Sequence, residues 1–177
     1  MPPWVAMLAT ASFALQASAP FVATPPDVIE RMFQLAGVGS GDVVYDLGCG
    51  DGRIVIEAAR RYGARGVGVD IDRVRIDEAQ RNARLAGVGH LVSFRVEDAL
   101  TTDVSDATVV TLYLVSALNV QLRPRLTAQL RPGARVVSHN FPMGDWDPDR
   151  VDVFTSADGQ SRTLYLWIAD AKADPRQ

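Results

Sequence analysis

Short apolar runs alternate with amphipathic stretches through most of this chain, and then give way to strand-like segments alone. Val43, Val44 and Tyr45 are β-formers after a Gly-Asp break and predict a buried strand. Arg53 to Tyr62 carries Ile54, Val55, Ala58 and Ala59 at helical spacing and stops at Gly63. Gly66 to Asp70 reads as a second short strand, Arg73 to Ala86 as a helix closed by Gly87, and Leu91 to Val96 as a third strand. Ala107 to Val115 predicts an apolar fourth strand at a sheet centre. Ser116 to Leu130 predicts a helix interrupted at Pro124, and Ala134 to Phe141 a fifth strand.

The two ends of this run are marked differently. Thr24-Pro25-Pro26-Asp27 predicts a helix start, with Thr24 as N-cap, Pro25 in the first turn and Asp27 completing a capping box. Val28, Met32, Leu35 and Ala36 give that helix an apolar face before Gly37. Val151 to Phe154 and Arg162 to Ala169 flank Asp158-Gly159, a hairpin signal. The pattern predicts an α/β fold: a Rossmann-like, doubly wound, mostly parallel sheet of about seven strands with an antiparallel C-terminal hairpin.

Composition narrows the function classes. At 177 residues the chain has room for one domain. A net charge of −3 argues against a broad phosphate-binding surface, which disfavours nucleic acid as substrate. Cys49, the single cysteine, excludes an internal disulfide. It sits in a glycine loop, where a small side chain suits closely packed backbone, and a nucleophilic role would need His90 or His139 as partner. No Cys, His and acid cluster has metal-ligand spacing, so no metal is expected.

The loop after the first strand carries the chemistry. Asp46-Leu47-Gly48-Cys49-Gly50-Asp51-Gly52 has G-x-G-x-G spacing, whereas a dinucleotide site wants G-x-G-x-x-G. Asp46 and Asp51 would repel a pyrophosphate and favour a ligand bearing an ammonium and a sulfonium. That points to S-adenosylmethionine. Asp70 follows Gly48 by 22 residues, close to the offset of about 20 at which an acid meets ribose hydroxyls. Its alternative role is to cap the next helix. Ile71 would offer an apolar face to adenine.

At Asp46-Leu47-Gly48-Cys49-Gly50 the sequence resembles the first motif of class I methyltransferases. The resemblance covers about residues 20–170, and the C-terminal hairpin fits it. It implies that Asp98 accepts a hydrogen bond from the adenine amino group, with Ala99 lining the ring and Glu97 as competitor. Asp98 as an ordinary turn residue is the alternative.

A narrower resemblance lies in Pro20-Phe21-Val22-Ala23-Thr24-Pro25, Thr111-Leu112-Tyr113-Leu114 and Ser138-His139-Asn140-Phe141. These segments look like the small lysine methyltransferases related to those modifying the ATP synthase c subunit and adenine nucleotide translocase. That family's pre-motif has the form P-F-x-P-[ST]; here Ala23 replaces the second proline and Thr24 keeps the hydroxyl. The resemblance implies a protein lysine as methyl acceptor. Tyr113 and Asn140 are the candidate catalytic residues, with Phe21, Thr24, Phe141 and Trp146 around the acceptor. Methylation of a small molecule is the alternative, and a non-catalytic S-adenosylmethionine-binding module a second.

Residues 1–19 form an apolar arm ending in Ala17-Ser18-Ala19, which resembles a signal-peptidase site but lacks a basic n-region. The expectation is a cytoplasmic protein, because the cofactor is made in the cytosol. Export, or weak membrane association through the arm, is the alternative. Residues 171–177 are a polar tail.

Overall fold

The computed structural model describes residues 22–170. The expected arm 1–19, Phe21 and the tail 171–177 lie outside the described residues.

Helix α1, Pro26–Ala36, buries Val28, Ile29, Met32, Phe33, Leu35 and Ala36. Gly37 ends it at φ 63°, with its N–H on Gln34 O, as left-handed glycines end helices. Its start departs from the capping box expected at Thr24 and Asp27. The helix begins one residue later, after an extended Pro25, and no side chain caps it. Pro26 fits the first turn because its missing N–H would be unpaired there anyway. The Asp27 carboxylate is committed elsewhere, accepting from Ser156 Oγ and Ala157 N–H, both at 2.8 Å.

The remaining elements are β1 (Val43–Leu47), α2 (Arg53–Tyr62), β2 (Arg65–Asp70), α3 (Arg73–Leu85), β3 (Val92–Val96), β4 (Val109–Leu112), α4 (Ser116–Gln129), β5 (Arg135–His139), β6 (Arg150–Thr155) and β7 (Ser161–Ile168). They form one seven-stranded sheet in the order β3-β2-β1-β4-β5-β7-β6. Strands β1 to β5 run parallel, and β7 is antiparallel to both β5 and β6. The sheet is therefore the mixed one that the pattern predicts.

Two core layers fix the faces. Helices α1, α2 and α3 pack with Val44, Val109, Val137, Leu164 and Leu166. The opposite layer joins α4 to Tyr45, Leu47, Val110, Leu112, Val136 and Trp167. Gly66 lets α2 approach β2: a Cβ there would lie 2.7 Å from Val55 Cβ.

Two strand ends near the site and one helix interior differ from the pattern. β4 stops at Leu112, so Tyr113 and Leu114 project past its end. β5 stops at His139, because Asn140 turns into the left-handed region at φ 63°. α4 continues through Pro124. The carbonyl that Pro124 cannot reach belongs to Val120, a residue on the exposed side of the helix at 45% exposure.

Candidate functional site

The C-terminal edges of β1, β2 and β3 form the first half of the site. Gly48, Gly50 and Gly52 hold φ of 83°, 52° and 79°, a region that other residues enter only with strain. A Cβ on Gly48 would meet Leu114 Cδ2 at 2.8 Å, and one on Gly52 would meet Phe94 Cε1 at 2.6 Å. The Gly48 and Cys49 N–H groups both donate to Val69 O at 2.9 Å, and Gly50 N–H donates to Asp70 Oδ2 at 3.0 Å. The glycine turn is thus tied to the end of β2.

Asp70 uses its other oxygen to accept from Asp72 N–H at 2.9 Å. It does not cap α3; Asp72 does, accepting from Val74 N–H at 2.8 Å. A carboxylate offers about four lone-pair directions, so Asp70 retains acceptor capacity toward a ligand. Ile71 beside it is 50% exposed, which leaves an apolar face open at this edge. Asp98 Oδ1 accepts from Leu100 N–H at 2.9 Å, an Asx turn that leaves Oδ2 without a partner among the described residues. Ala99 packs against the α4-side core, while the Glu97 carboxylate lies 3.8 Å from Arg95.

Beneath the turn, Asp46 is almost fully buried and accepts from Thr111 Oγ1 at 2.8 Å. Burial raises its pKa to about 7; the Thr111 hydrogen bond opposes this, while the charges of Asp70 and Asp51 add to it. A cation arriving here would meet a carboxylate that has no ion-pair partner among the described residues. Asp51 differs. Burial pushes its carboxyl up, but Arg53 outweighs this and leaves it below the ordinary value. Arg53 pairs with Asp51 at 2.6 Å and donates to Thr24 O at 3.1 Å, pinning the segment before α1 to the glycine turn. Burial, then Asp46 and Asp70, push the Cys49 thiol up, which excludes a ready thiolate nucleophile.

The ends of β4 and β5 form the second half. Tyr113 stacks on His139 with centroids 4.0 Å apart and on Phe141 at 6.1 Å. The turn behind them is clamped. Phe141 O accepts from Ser138 Oγ at 2.6 Å and from Asn119 Nδ2 at 2.9 Å. Asn140 donates its N–H to Thr163 O at 2.7 Å and accepts from Thr163 N–H through Oδ1 at 3.0 Å. The side-chain carbonyl of Asn140, a candidate catalytic residue, thus shapes the turn through one of its two lone pairs.

Trp146 does not join this group. It packs 5.7 Å from Trp167 against the α4-side core, under the Arg123 guanidinium. A loop aromatic in a polar sequence context suggested a ligand contact; the packing partner Trp167 lies on a distant strand, which local sequence cannot reveal. Thr24 is buried beside Arg53. The sequence reading gave no site role to Arg53, Thr111 or His139, although the last two lie in the segments that carry the family resemblance. Arg53 is the first residue after the glycine turn, whereas the Thr111 contact to Asp46 depends on strand register. Among the described residues, no group of His, Cys, Asp and Glu is placed to hold a metal ion, and no helix is long and apolar enough to cross a membrane.

A parallel sheet closed by an antiparallel β7, a G-x-G-x-G turn after β1 and an acid ending β2 define a class I S-adenosylmethionine-dependent methyltransferase. Residues 46–150 match the ANTKMT methyltransferase domain, and the chain belongs to that family. It is 43% identical over 151 residues to a protein-lysine N-methyltransferase of Saccharolobus islandicus, covering 84% of this chain and 92% of the relative. To the human lysine N-methyltransferase of the ATP synthase c subunit it is 32% identical over 132 residues, which span 75% of this chain and 56% of that protein. Among solved structures, an RNA methyltransferase from Salinibacter ruber in complex with S-adenosyl-L-homocysteine is 52% identical, with a TM-score of 0.80 over 85% of this chain and 95% of that one.

Proposed function

We propose that the chain N-methylates a protein lysine, with S-adenosylmethionine along β1 to β3 and the amine entering between Thr24 and the Tyr113–Phe141 stack. The observation that carries the acceptor class is the 43% identity to a protein-lysine N-methyltransferase over nearly that protein's whole length. In this reading the domain spans residues 20–170. The protein acts in the cytoplasm.

Leu47, Gly48, Cys49 and Gly50 border the methionine end, and buried Asp46 balances its ammonium. Asp70 accepts from the ribose hydroxyls through its open lone pairs. Ile71 and Ala99 face adenine, whose amino group donates to Asp98 Oδ2. The residues fit this cofactor because the left-handed glycines leave the turn bare and the acids match its positive groups. The cofactor supplies an electrophilic methyl group on a sulfonium.

The chain's own task is to present a neutral amine on the methyl axis. Neutralising lysine at pH 7 costs about 4.6 kcal/mol from a reference pKa near 10.4. Tyr113 and Phe141 lower that cost by desolvating the amine. His139 adds no competing charge, since burial and Arg162 hold its pKa down at about 4.

A second reading is RNA methylation, favoured by the 52% identity to the Salinibacter ruber RNA methyltransferase. Stacked aromatics at a strand edge could equally hold a base. Arginine pairing weighs against it: Arg31, Arg53, Arg60, Arg61, Arg131 and Arg162 each sit within 3.2 Å of a carboxylate. Paired guanidiniums neutralise fewer phosphates.

Purified enzyme and tritiated S-adenosylmethionine, added to lysate from a strain lacking this protein, separate the readings. The expected result is label in the protein fraction, released as methyl-lysine on acid hydrolysis. Label confined to RNA makes the second reading correct, and label confined to metabolites makes the enzyme a small-molecule methyltransferase.

A further inference from the structure

His139 ends β5 fully buried, and neither of its ring nitrogens has a hydrogen-bond partner among the described residues. Stacking on Tyr113 would be served as well by phenylalanine, which brings no unpaired polar atoms. The ring is nonetheless fixed on both sides of the chain: Tyr113 lies 4.0 Å away, and the turn after it is clamped by Ser138, Asn119 and Thr163. A buried imidazole held in this way has a use for its nitrogens when a partner arrives.

A second unpaired group shares the neighbourhood. Arg162 Nε is buried without a hydrogen-bond partner among the described residues, and the Arg162 charge is felt at His139. On β7 Arg162 lies two residues from Leu164, which is the cross-strand partner of His139. Strand alternation therefore puts Arg162, Leu164 and His139 on one face of the sheet. Neutral imidazole offers one acceptor and one donor, and Arg162 Nε–H is a donor. Those are the partners a buried water needs.

We infer that His139 is a positioning residue for the acceptor amine, holding with Arg162 a buried water that accepts a hydrogen bond from the amine N–H. The water donates to the imidazole acceptor nitrogen and accepts from Arg162 Nε–H. Its remaining lone pair takes the amine N–H, which turns the nitrogen lone pair toward the methyl group. No proton is transferred to His139. The inference rests on the amine-acceptor reading above and specifies how that amine is oriented.

The test compares wild type with His139→Phe and His139→Gln. Three quantities are measured: the melting temperature, calorimetric affinity for S-adenosylhomocysteine, and the rate of tritium transfer into lysate protein at saturating cofactor. His139→Phe should fold at least as stably and keep cofactor affinity within about 2-fold, yet transfer about 10-fold more slowly or worse. His139→Gln, whose carbonyl keeps an acceptor, should recover at least about a third of the rate. Should the Phe variant fail to fold, His139→Met takes its place under the same criteria. Wild-type rate in the apolar variant, or a Gln variant as slow as it, overturns the inference alone. Wild-type label absent from lysine overturns the amine reading and the inference with it.

Discussion

Thr111 Oγ1 donates a 2.8 Å hydrogen bond to Asp46 Oδ1, joining the buried ends of β4 and β1 beneath the glycine turn. The two residues are 65 apart in sequence and directly paired in the sheet. Thr111→Val removes the side-chain donor that a buried carboxylate has among the described residues. We expect a loss of about 1–3 kcal/mol in folding stability, read by chemical denaturation. An unchanged midpoint and slope would remove Thr111 from the site's support.

Asp46 also sets a pH dependence. Its pKa is raised from 3.8 to about 7, so between those values the folded chain holds a proton that the unfolded chain has lost. The contribution of this group to stability therefore declines as pH rises from about 4 to 7. Cofactor binding should run the other way: a cation beside Asp46 favours its ionised form, so affinity rises from about pH 6 to pH 8 with proton release. Calorimetry in buffers of different ionisation enthalpy measures the released proton. Asp46→Asn should flatten the profile, and a variant that titrates like wild type sinks the assignment.

Asp70 holds Gly50 N–H, and the proposed function assigns it the ribose hydroxyls. Asp70→Ala should weaken cofactor binding by about 1.5–3 kcal/mol, the range for hydrogen bonds to a charged group. Calorimetric titration with S-adenosylhomocysteine decides it, because equal affinity would mean that the carboxylate only organises the loop.

Gly52 has no room for a side chain. A Cβ would lie 2.6 Å from Phe94 Cε1 and 2.8 Å from Ala79 Cβ, at a φ of 79°. Gly52→Ala combines that clash with left-handed strain and should destabilise by more than about 1 kcal/mol. Thermal unfolding checks this, with Gly87→Ala as comparison: Gly87 has a similar φ of 72°, but a Cβ there would meet nothing within 4 Å. Equal losses in the two variants would leave strain as the whole cost and the Phe94 clash as none of it.

Tyr113 and Trp146, both expected near the acceptor, should now separate. Tyr113→Ala should slow methyl transfer and leave cofactor affinity unchanged. Trp146→Ala should cost about 1–3 kcal/mol of stability through its lost packing on Trp167, with turnover per folded molecule preserved. Equal turnover losses in the two variants would place Trp146 back at the acceptor.

Sequence alone determined the order of elements and the glycine turn, because both are local. Helical spacing in Arg53 to Tyr62, the apolar run around Val109 and the Gly48–Gly52 spacing are each properties of a few adjacent residues. The hairpin around Asp158-Gly159 was legible for the same reason. Helix and strand ends were less so: Asn140 stops β5 through a hydrogen bond to Thr163, 23 residues away, and Asp27 leaves the α1 cap for Ser156, 129 residues away. Tertiary structure also decided which candidates meet. Strand register set Asp46 against Thr111, the stacking of two strand ends brought Tyr113 onto His139, and the Trp167 contact drew Trp146 onto the other face. Cross-strand register and side-chain packing depend on partners far along the chain, so a local pattern can nominate these residues but only the assembled sheet can pair them.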